Sequence, residues 1–271
     1  MNPTLPLFDT HAHLDLPPFE PDRVDLIRRL ETDIVLNEQP VKIAGVLMPG
    51  IDAASCQRIR KIAALSDLLH VAVAIHPNHT AERSKDDWQT IVELAYQDDV
   101  VAIGETGLDR YWDDAPIELQ VDMFHRHIEL SQETNKPILI HCRDAWDDLL
   151  PILRQAGKLC GVIHAFGGNA EQMFACVELG LFISFAGSVT YRNAKFLPLW
   201  EAARKTPVDR LLIETDAPFM VPHPFRGKLE RNEPAFAALT AIRLAELRET
   251  APLSIAEATT QNAFRLFGTE K

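Results

Sequence analysis

The chain is predicted to be an α/β protein folded as a closed (β/α)8 (TIM) barrel, with closing C-terminal helices. Three observations carry that prediction. Eight short apolar runs recur along the sequence, helix-like segments lie between them, and 271 residues is an ordinary length for eight such units. With 46% hydrophobic residues there is enough apolar material for one large core. No low-complexity linker interrupts the chain, so residues 1–271 are expected to form one domain. An open doubly wound sheet is the structural alternative.

The strand candidates, in order, are LFDTHAHL (7–14), IAGVLMPG (43–50), HVAVAIHP (70–77), VVAIGETG (100–107), PILIHCRD (137–144), GVIHAFGG (161–168), LFISFAGS (181–188) and RLLIETDA (210–217). Each is a short apolar run bounded by turn or polar residues, the pattern of a buried parallel strand. The helix candidates carry start and stop signals. Asp52 can cap the segment that follows the second strand, and Ser84 stands three residues before Asp87 ahead of the next. Pro116 opens a long segment to residue 135, Gly180 stops a shorter one, and Pro198 interrupts the segment 193–205. After the eighth strand, residues 233–249 and 254–267 read as two closing helices, the second with a Ser254 and Glu257 capping box. Phe182 and Phe185 read as core.

Charge and cysteine usage bound the function classes. The formal net charge of -12 argues against a protein that coats nucleic acid, because such binding depends on Lys and Arg neutralising phosphates. It does not exclude an enzyme acting on nucleic acid, since cations held in a pocket supply positive charge locally. Cys56, Cys142, Cys160 and Cys176 lack metal or redox spacing and read as thiols of a reducing compartment. No signal-peptide pattern and no run of about 18 apolar residues is present, so a cytoplasmic protein without membrane association is expected. The sequence indicates no oligomeric state.

Chemistry-bearing residues collect where a barrel keeps its active site, at the carboxyl ends of strands. They are His11 and His13 on the first strand, His76 on the third, Glu105 on the fourth, His141 on the fifth, His164 on the sixth and Asp216 on the eighth. His11 and His13 are two residues apart, so on an extended strand both face the barrel mouth; Asp9 shares that parity one step lower. With Glu105 and Asp216 they make a nitrogen and oxygen donor set for one divalent ion. His141 and His164, with Glu105 as a bridge, make a second. Two such ions would lower the pKa of an attacking water and stabilise negative charge on a phosphoryl or carbonyl oxygen, with Asp216 as general base. A lone H-x-H or a solitary histidine is as readily a satisfied polar residue; the recurrence at four strand ends together with two acids favours metal. No G-x-S-x-G, P-loop or G-x-G-x-x-G motif offers a rival chemistry.

The neighbours allow two readings each. His76 either contacts substrate or opens the turn before Pro77. Arg143 either binds a phosphate or pairs with Asp144 or Asp147. His76 and Arg143 are taken as the substrate-binding candidates. Tyr111 and Trp112 either stack on a base or pack their loop, packing being the simpler. His125 and His127 lie in a helix candidate and read as solvated or helix-packing.

Taken together, FDTHAHLD, AIHPNH, IGETGLD, FHRHIELSQETNKPILIHCRDA, IHAFGG, LLIETDAP, RNEP and TTQNAFRLF resemble, in order and over nearly the whole chain, the TatD family of metal-dependent hydrolases. The resemblance implies two divalent metal ions (zinc, magnesium or manganese), one on His11, His13, Glu105 and Asp216, the other on Glu105, His141 and His164. It implies a deoxyribonuclease that trims single-stranded DNA or RNA from the 3′ end, with single-stranded nucleic acid as the partner. Glu105 stands where some other barrel hydrolases carry a carboxylated lysine bridge. RYWDDAP after GETGLD, and residues 31–42 in the first crossover, depart from the family pattern. The competing readings are a hydrolase of a small amide, ester or aminoacyl-tRNA ester, and an inactive metal-binding scaffold.

Overall fold

The apolar runs become strands and the capped segments become helices in the computed structural model, which describes residues 2–269. The strands are β1 (Leu5–Asp9), β2 (Ile34–Leu36), β3 (Gln39–Pro49), β4 (Leu69–Val73), β5 (Val100–Asp109), β6 (Ile138–Arg143), β7 (Gly161–Ile163), β8 (Phe182–Phe185) and β9 (Leu211–Ile213). All but β2 pair in parallel in the order β1-β3-β4-β5-β6-β7-β8-β9. Three backbone bonds then tie β9 and its tail to β1 and its tail: Thr10 N–H to the Ile213 carbonyl (3.2 Å), Asp216 N–H to His11 (2.9 Å) and His13 N–H to Ala217 (2.7 Å). An Ala12 and Ala217 bridge lies in the same seam, so the eight parallel strands form the expected barrel.

Local chemistry explains the helices α1 (Arg23–Leu30), α2 (Ala53–Ala63), α3 (Lys85–Ala95), α4 (Ile117–Thr134), α5 (Trp146–Ala156), α6 (Ala170–Glu178), α7 (Leu197–Lys205), α8 (Ala237–Leu247) and α9 (Pro252–Phe267). α2 (Ala53–Ala63) starts on a reciprocal capping box between Asp52 and Ser55, and α3 (Lys85–Ala95) on one between Ser84 and Asp87. α4 (Ile117–Thr134) ends on Asn135 in the left-handed region, a stop that Asn tolerates. α6 (Ala170–Glu178) is capped by Asn169 and followed by Gly180 at φ +97°. Pro198 falls in the first turn of a shortened helix, Leu197–Lys205, and so begins it instead of breaking it. The expected Ser254 and Glu257 box does not form. The last helix begins two residues earlier, at Pro252, because proline suits a first helical position; Ser254 lies inside it.

The 31–42 segment, to which the sequence assigned no role, is a β-hairpin. β2 pairs antiparallel with the start of β3 through Asn37 and Glu38, both at positive φ (47° and 65°) as a two-residue hairpin turn needs. It covers the edge of β3 below the point where β4 joins at Val46, at the end of the barrel away from the polar strand ends.

One inward residue from each of the eight strands builds the inner layer: Phe8, Leu47, Ala72, Ala102, Leu139, Val162, Phe182 and Leu212. Ala263, Leu266 and Phe267 of the final helix, Pro252–Phe267, pack on that layer and seal it, with Phe264 and Phe267 against Phe8. Burying an aromatic ring there stabilises the fold by about 2–3 kcal/mol. Phe185 packs in the second, larger core between strands and helices. No helix among the described residues is long and apolar enough to cross a membrane.

Candidate metal centre

Most strands stop short of their polar residues, and the tails carry the functional side chains over the barrel mouth. β1 ends at Asp9, and the chain bends at Thr10 before His11 and His13. The seam bonds to Asp216 and Ala217 hold those two histidines and Asp216 in one group. Asp9 does not join them despite its sequence parity, because the bend breaks the alternation. Its carboxylate accepts from Thr215 Oγ1 (2.6 Å), Thr215 N–H (2.8 Å) and His11 N–H (3.3 Å), below the histidines. Asp216 has φ 56°, a left-handed backbone that costs a non-glycine residue about 1 kcal/mol and sets the direction of its carboxylate.

Glu105 sits at the centre. The β5–β6 register shifts between Ile103 and Thr106, so Ile103 faces the outer core while Glu105 faces the mouth. Its two oxygens face different partners. Oε2 lies 3.1 Å from His11 Nε2 and 3.6 Å from His13 Nε2; Oε1 lies 2.9 Å from His141 Nδ1, 2.8 Å from His164 Nε2 and 3.3 Å from His76 Nε2. Asp216 Oδ1 closes the first group at 3.9 Å from His11 Nε2 and 3.7 Å from His13 Nε2. Burial opposes charge on Glu105, but His164, His76 and His11 outweigh it and hold the carboxyl well below its usual range. Burial pushes Asp216 up to about 6, against the pull of His164 and His13.

Two acids that sequence reasoning missed set the histidines. Asp109 Oδ2 accepts from His141 Nε2 (2.9 Å), which leaves the Nδ1 lone pair for the Glu105 side; Oδ1 accepts from the Tyr111 and Trp112 amides (2.8 and 3.1 Å). Glu214 Oε1 lies 3.3 Å from His164 Nδ1 and accepts from Ala165 N–H (2.6 Å). Parity was the available signal, since Asp109 is in step with Glu105 and Glu214 with Asp216. His76 Nδ1 accepts from Asn78 N–H (3.2 Å), so its proton is on Nε2 and points to Glu105 Oε1. Burial lowers its pKa to about 4 and keeps it neutral.

The donor chemistry fits divalent cations. His11 Nε2 and His13 Nε2 are 3.2 Å apart, and His141 Nδ1 and His164 Nε2 are 3.1 Å apart, all beside one buried carboxylate. One proton shared by such a pair cannot also serve the adjacent carboxylate fully, whereas a cation accepts both nitrogen lone pairs and the carboxylate together. Among the described residues, His11, His13 and Glu105 form one group able to hold an ion, His11, His164 and Glu214 another, and His76, Glu105 and His141 a third.

Arg143 stands outside this cluster. It is exposed, its guanidinium lies 3.7 Å over the Tyr111 ring, and no ion pair to Asp144 or Asp147 forms among the described residues. Tyr111 and Trp112 are not packed into the body of the protein: they are 54% and 51% exposed and meet edge to face at 4.9 Å. Phe219, absent from the sequence inventory, is 53% exposed with its ring 6.2 Å from that of His13. His125 is half-buried on α4, and His127, also on α4, is buried against Trp88, Thr106 and the Ile75 amide, as a helix-packing residue would be.

A parallel eight-stranded barrel with imidazoles and carboxylates convergent at its carboxyl end defines a metal-dependent hydrolase. The family model described as TatD related DNase matches residues 8–268. An uncharacterized metal-dependent hydrolase of Bacillus subtilis, YabD, is 40% identical over 96% of this chain and 98% of its own. A protein of Pantoea ananatis named 3'-5' ssDNA/RNA exonuclease TatD is 33% identical over 97% and 99%. The crystal structure of YJJV, a TatD homolog from Escherichia coli K12, superposes with a TM-score of 0.87 at 30% identity over 97% of this chain and 98% of that one. The chain belongs to the TatD family.

Proposed function

We propose that the protein is a two-metal phosphodiesterase that shortens single-stranded DNA or RNA from the 3′ end. The observation that carries the reading is the division of Glu105, with one oxygen toward His11, His13 and Asp216 and the other toward His141 and His164. Those residues would hold the two cations, with zinc, manganese or magnesium as the candidates. When bound, the cations supply Lewis-acid polarisation of the phosphoryl group and a lower pKa for the attacking water. Asp216 would accept a proton from the attacking water on a carboxylate oxygen, and the ionised Glu105 would serve both groups of histidines. His76 presents Nε2–H to the same oxygen of Glu105 and, with substrate present, to a phosphoryl oxygen. Tyr111, Trp112 and Phe219 present exposed ring faces near the mouth, the kind of surface on which unpaired bases stack, and Arg143 braces the first two. The name of the Pantoea relative supports the substrate class. Four free thiols suit a reducing cytoplasm.

The test is hydrolysis of a 5′-labelled single-stranded oligonucleotide by metal-stripped protein refilled separately with magnesium, manganese or zinc. Stepwise shortening from the 3′ end is expected, with a loss of 100-fold or more in kcat for Asp216→Asn at retained metal content, a size on the order of general-base catalysis. Metal-dependent cleavage of small amides, esters or aminoacyl-tRNA without any shortening of the oligonucleotide would replace this reading.

A further inference from the structure

Outside the candidate metal centre, a cavity of about 810 Å³ opens between the loop after β8, the loop after β9 and the outer face of α8 (Ala237–Leu247). In a chain with a net charge of -12 its lining is basic: Arg192, Arg226, Lys228 and Arg243 stand against the single carboxylate of Glu246. Arg243 pairs with that carboxylate at 2.9 Å. Among the described residues, Arg192, Arg226 and Lys228 take part in no ion pair. Concentrating unpaired cations on one concave wall raises the local potential and costs self-repulsion, which an anionic occupant relieves.

The walls are built into the fold. Thr190 Oγ1 accepts from His223 N–H (2.9 Å) and donates to the Gly187 carbonyl (2.6 Å), which ties the two loops together. Phe225 stacks on Phe236 at 5.2 Å and fixes the turn bearing Arg226 and Lys228 beside the start of α8. Tyr191 links the cavity to the side of the metal centre. It is buried, the Arg226 guanidinium lies 3.8 Å over its ring, and the charge of Asp216 is among the causes, after burial, that push its phenol up. Arg226 of the basic cavity and Asp216 of the candidate metal ligands therefore both act on one side chain.

We propose that this cavity binds the phosphodiester backbone of the single-stranded substrate beyond the scissile linkage, an assignment that rests on the nuclease reading above. The test is anisotropy of a fluorescein-labelled single-stranded phosphorothioate decamer, which resists cleavage, titrated with manganese-loaded protein across a range of KCl. Arg192→Gln/Lys228→Gln is compared with Lys61→Gln/Lys85→Gln, an equal loss of exposed charge on α2 and α3. The cavity variant is expected to bind at least about tenfold more weakly, with a salt slope smaller by about 1.4, since each single-strand phosphate contact contributes about 0.7. The control pair should leave both quantities unchanged. Wild-type protein that does not bind the decamer, a cavity variant that binds as wild type does, or a control pair that weakens binding equally would overturn the proposal. Cleavage of the unmodified decamer, followed in parallel, separates the two readings. Binding lost only in the cavity variant while wild type cleaves nothing retains the cavity and removes the nuclease. Cleavage by wild type with binding indifferent to the cavity variant does the reverse.

Discussion

His127 makes the stability of this barrel depend on pH, and the size of the effect follows from its contacts. Its ring is fully buried, edge to face with Trp88 at 5.0 Å. Nε2 accepts from Ile75 N–H at 3.1 Å; the proton is therefore on Nδ1, which faces the Met123 carbonyl at 2.8 Å and Thr106 Oγ1 at 3.0 Å. Protonation would set an N–H against the Ile75 N–H. Burial, with Arg83 adding to it, lowers the His127 pKa to about 3. An unfolded chain titrates this side chain near 6.5, so between those values the unfolded state binds the extra proton. Stability is then complete above about pH 6.5 and falls as pH drops toward 3, with a loss of about 2 kcal/mol at pH 5 and about 5 kcal/mol at the limit. In metal-free protein, His127→Gln removes the titration. The fall in melting temperature between pH 7 and pH 5 should be about 4 °C smaller in the variant than in wild type, given the unfolding entropy of a chain of this size. An equal fall in both proteins would refute the reasoning.

Glu105→Ala removes both halves of the bridge and should lower metal affinity at both positions by about a hundredfold or more, read by metal content after dialysis; loss at one position alone would contradict the bridging role. Glu214→Gln takes the charge from beside His164 Nδ1 and is expected to weaken metal binding about 10–100-fold, measured by competition with a chelating dye. Gly107→Ala would place a methyl group into the His141 carbonyl oxygen at a φ of +138°, a conformation L-residues rarely adopt. It should cost about 3 kcal/mol or more in urea denaturation and displace the strand that carries His141.

The barrel and the residues over its mouth were legible because two signals coincide: apolar runs of strand length, and a histidine or acid at the end of most of them. Strand lengths were less legible. β7 stops at Ile163 and β9 at Ile213: His164 and Glu214 still donate to the Ile140 and Phe185 carbonyls, but the backbone then turns left-handed at Ala165 and Asp216. Simple alternation also failed at the two places that matter most. The bend at Thr10 turns Asp9 away from His11 and His13, and the register shift in β5 turns Glu105 inward. Asp109 and Glu214 stayed hidden because an acid that orients a ligand and an acid on a surface look alike in a sequence; only the distance to His141 or His164 separates them. Arg143 illustrates the converse, a cation next to a candidate ligand that the chain spends on Tyr111 instead.

The helix that seals the inner layer follows all eight strands in chain order, and this has a consequence for biosynthesis. Phe8 of β1 leaves the ribosome well before the rings that cover it, Phe264 and Phe267, which come some 250 residues later. At roughly 5–20 residues per second, β1 waits more than about ten seconds before its lower face can be covered. During that wait the nascent barrel shows an open, greasy end to the cell, so that chaperone dependence and aggregation during translation should be governed by residues 252–267 and not by the metal ligands.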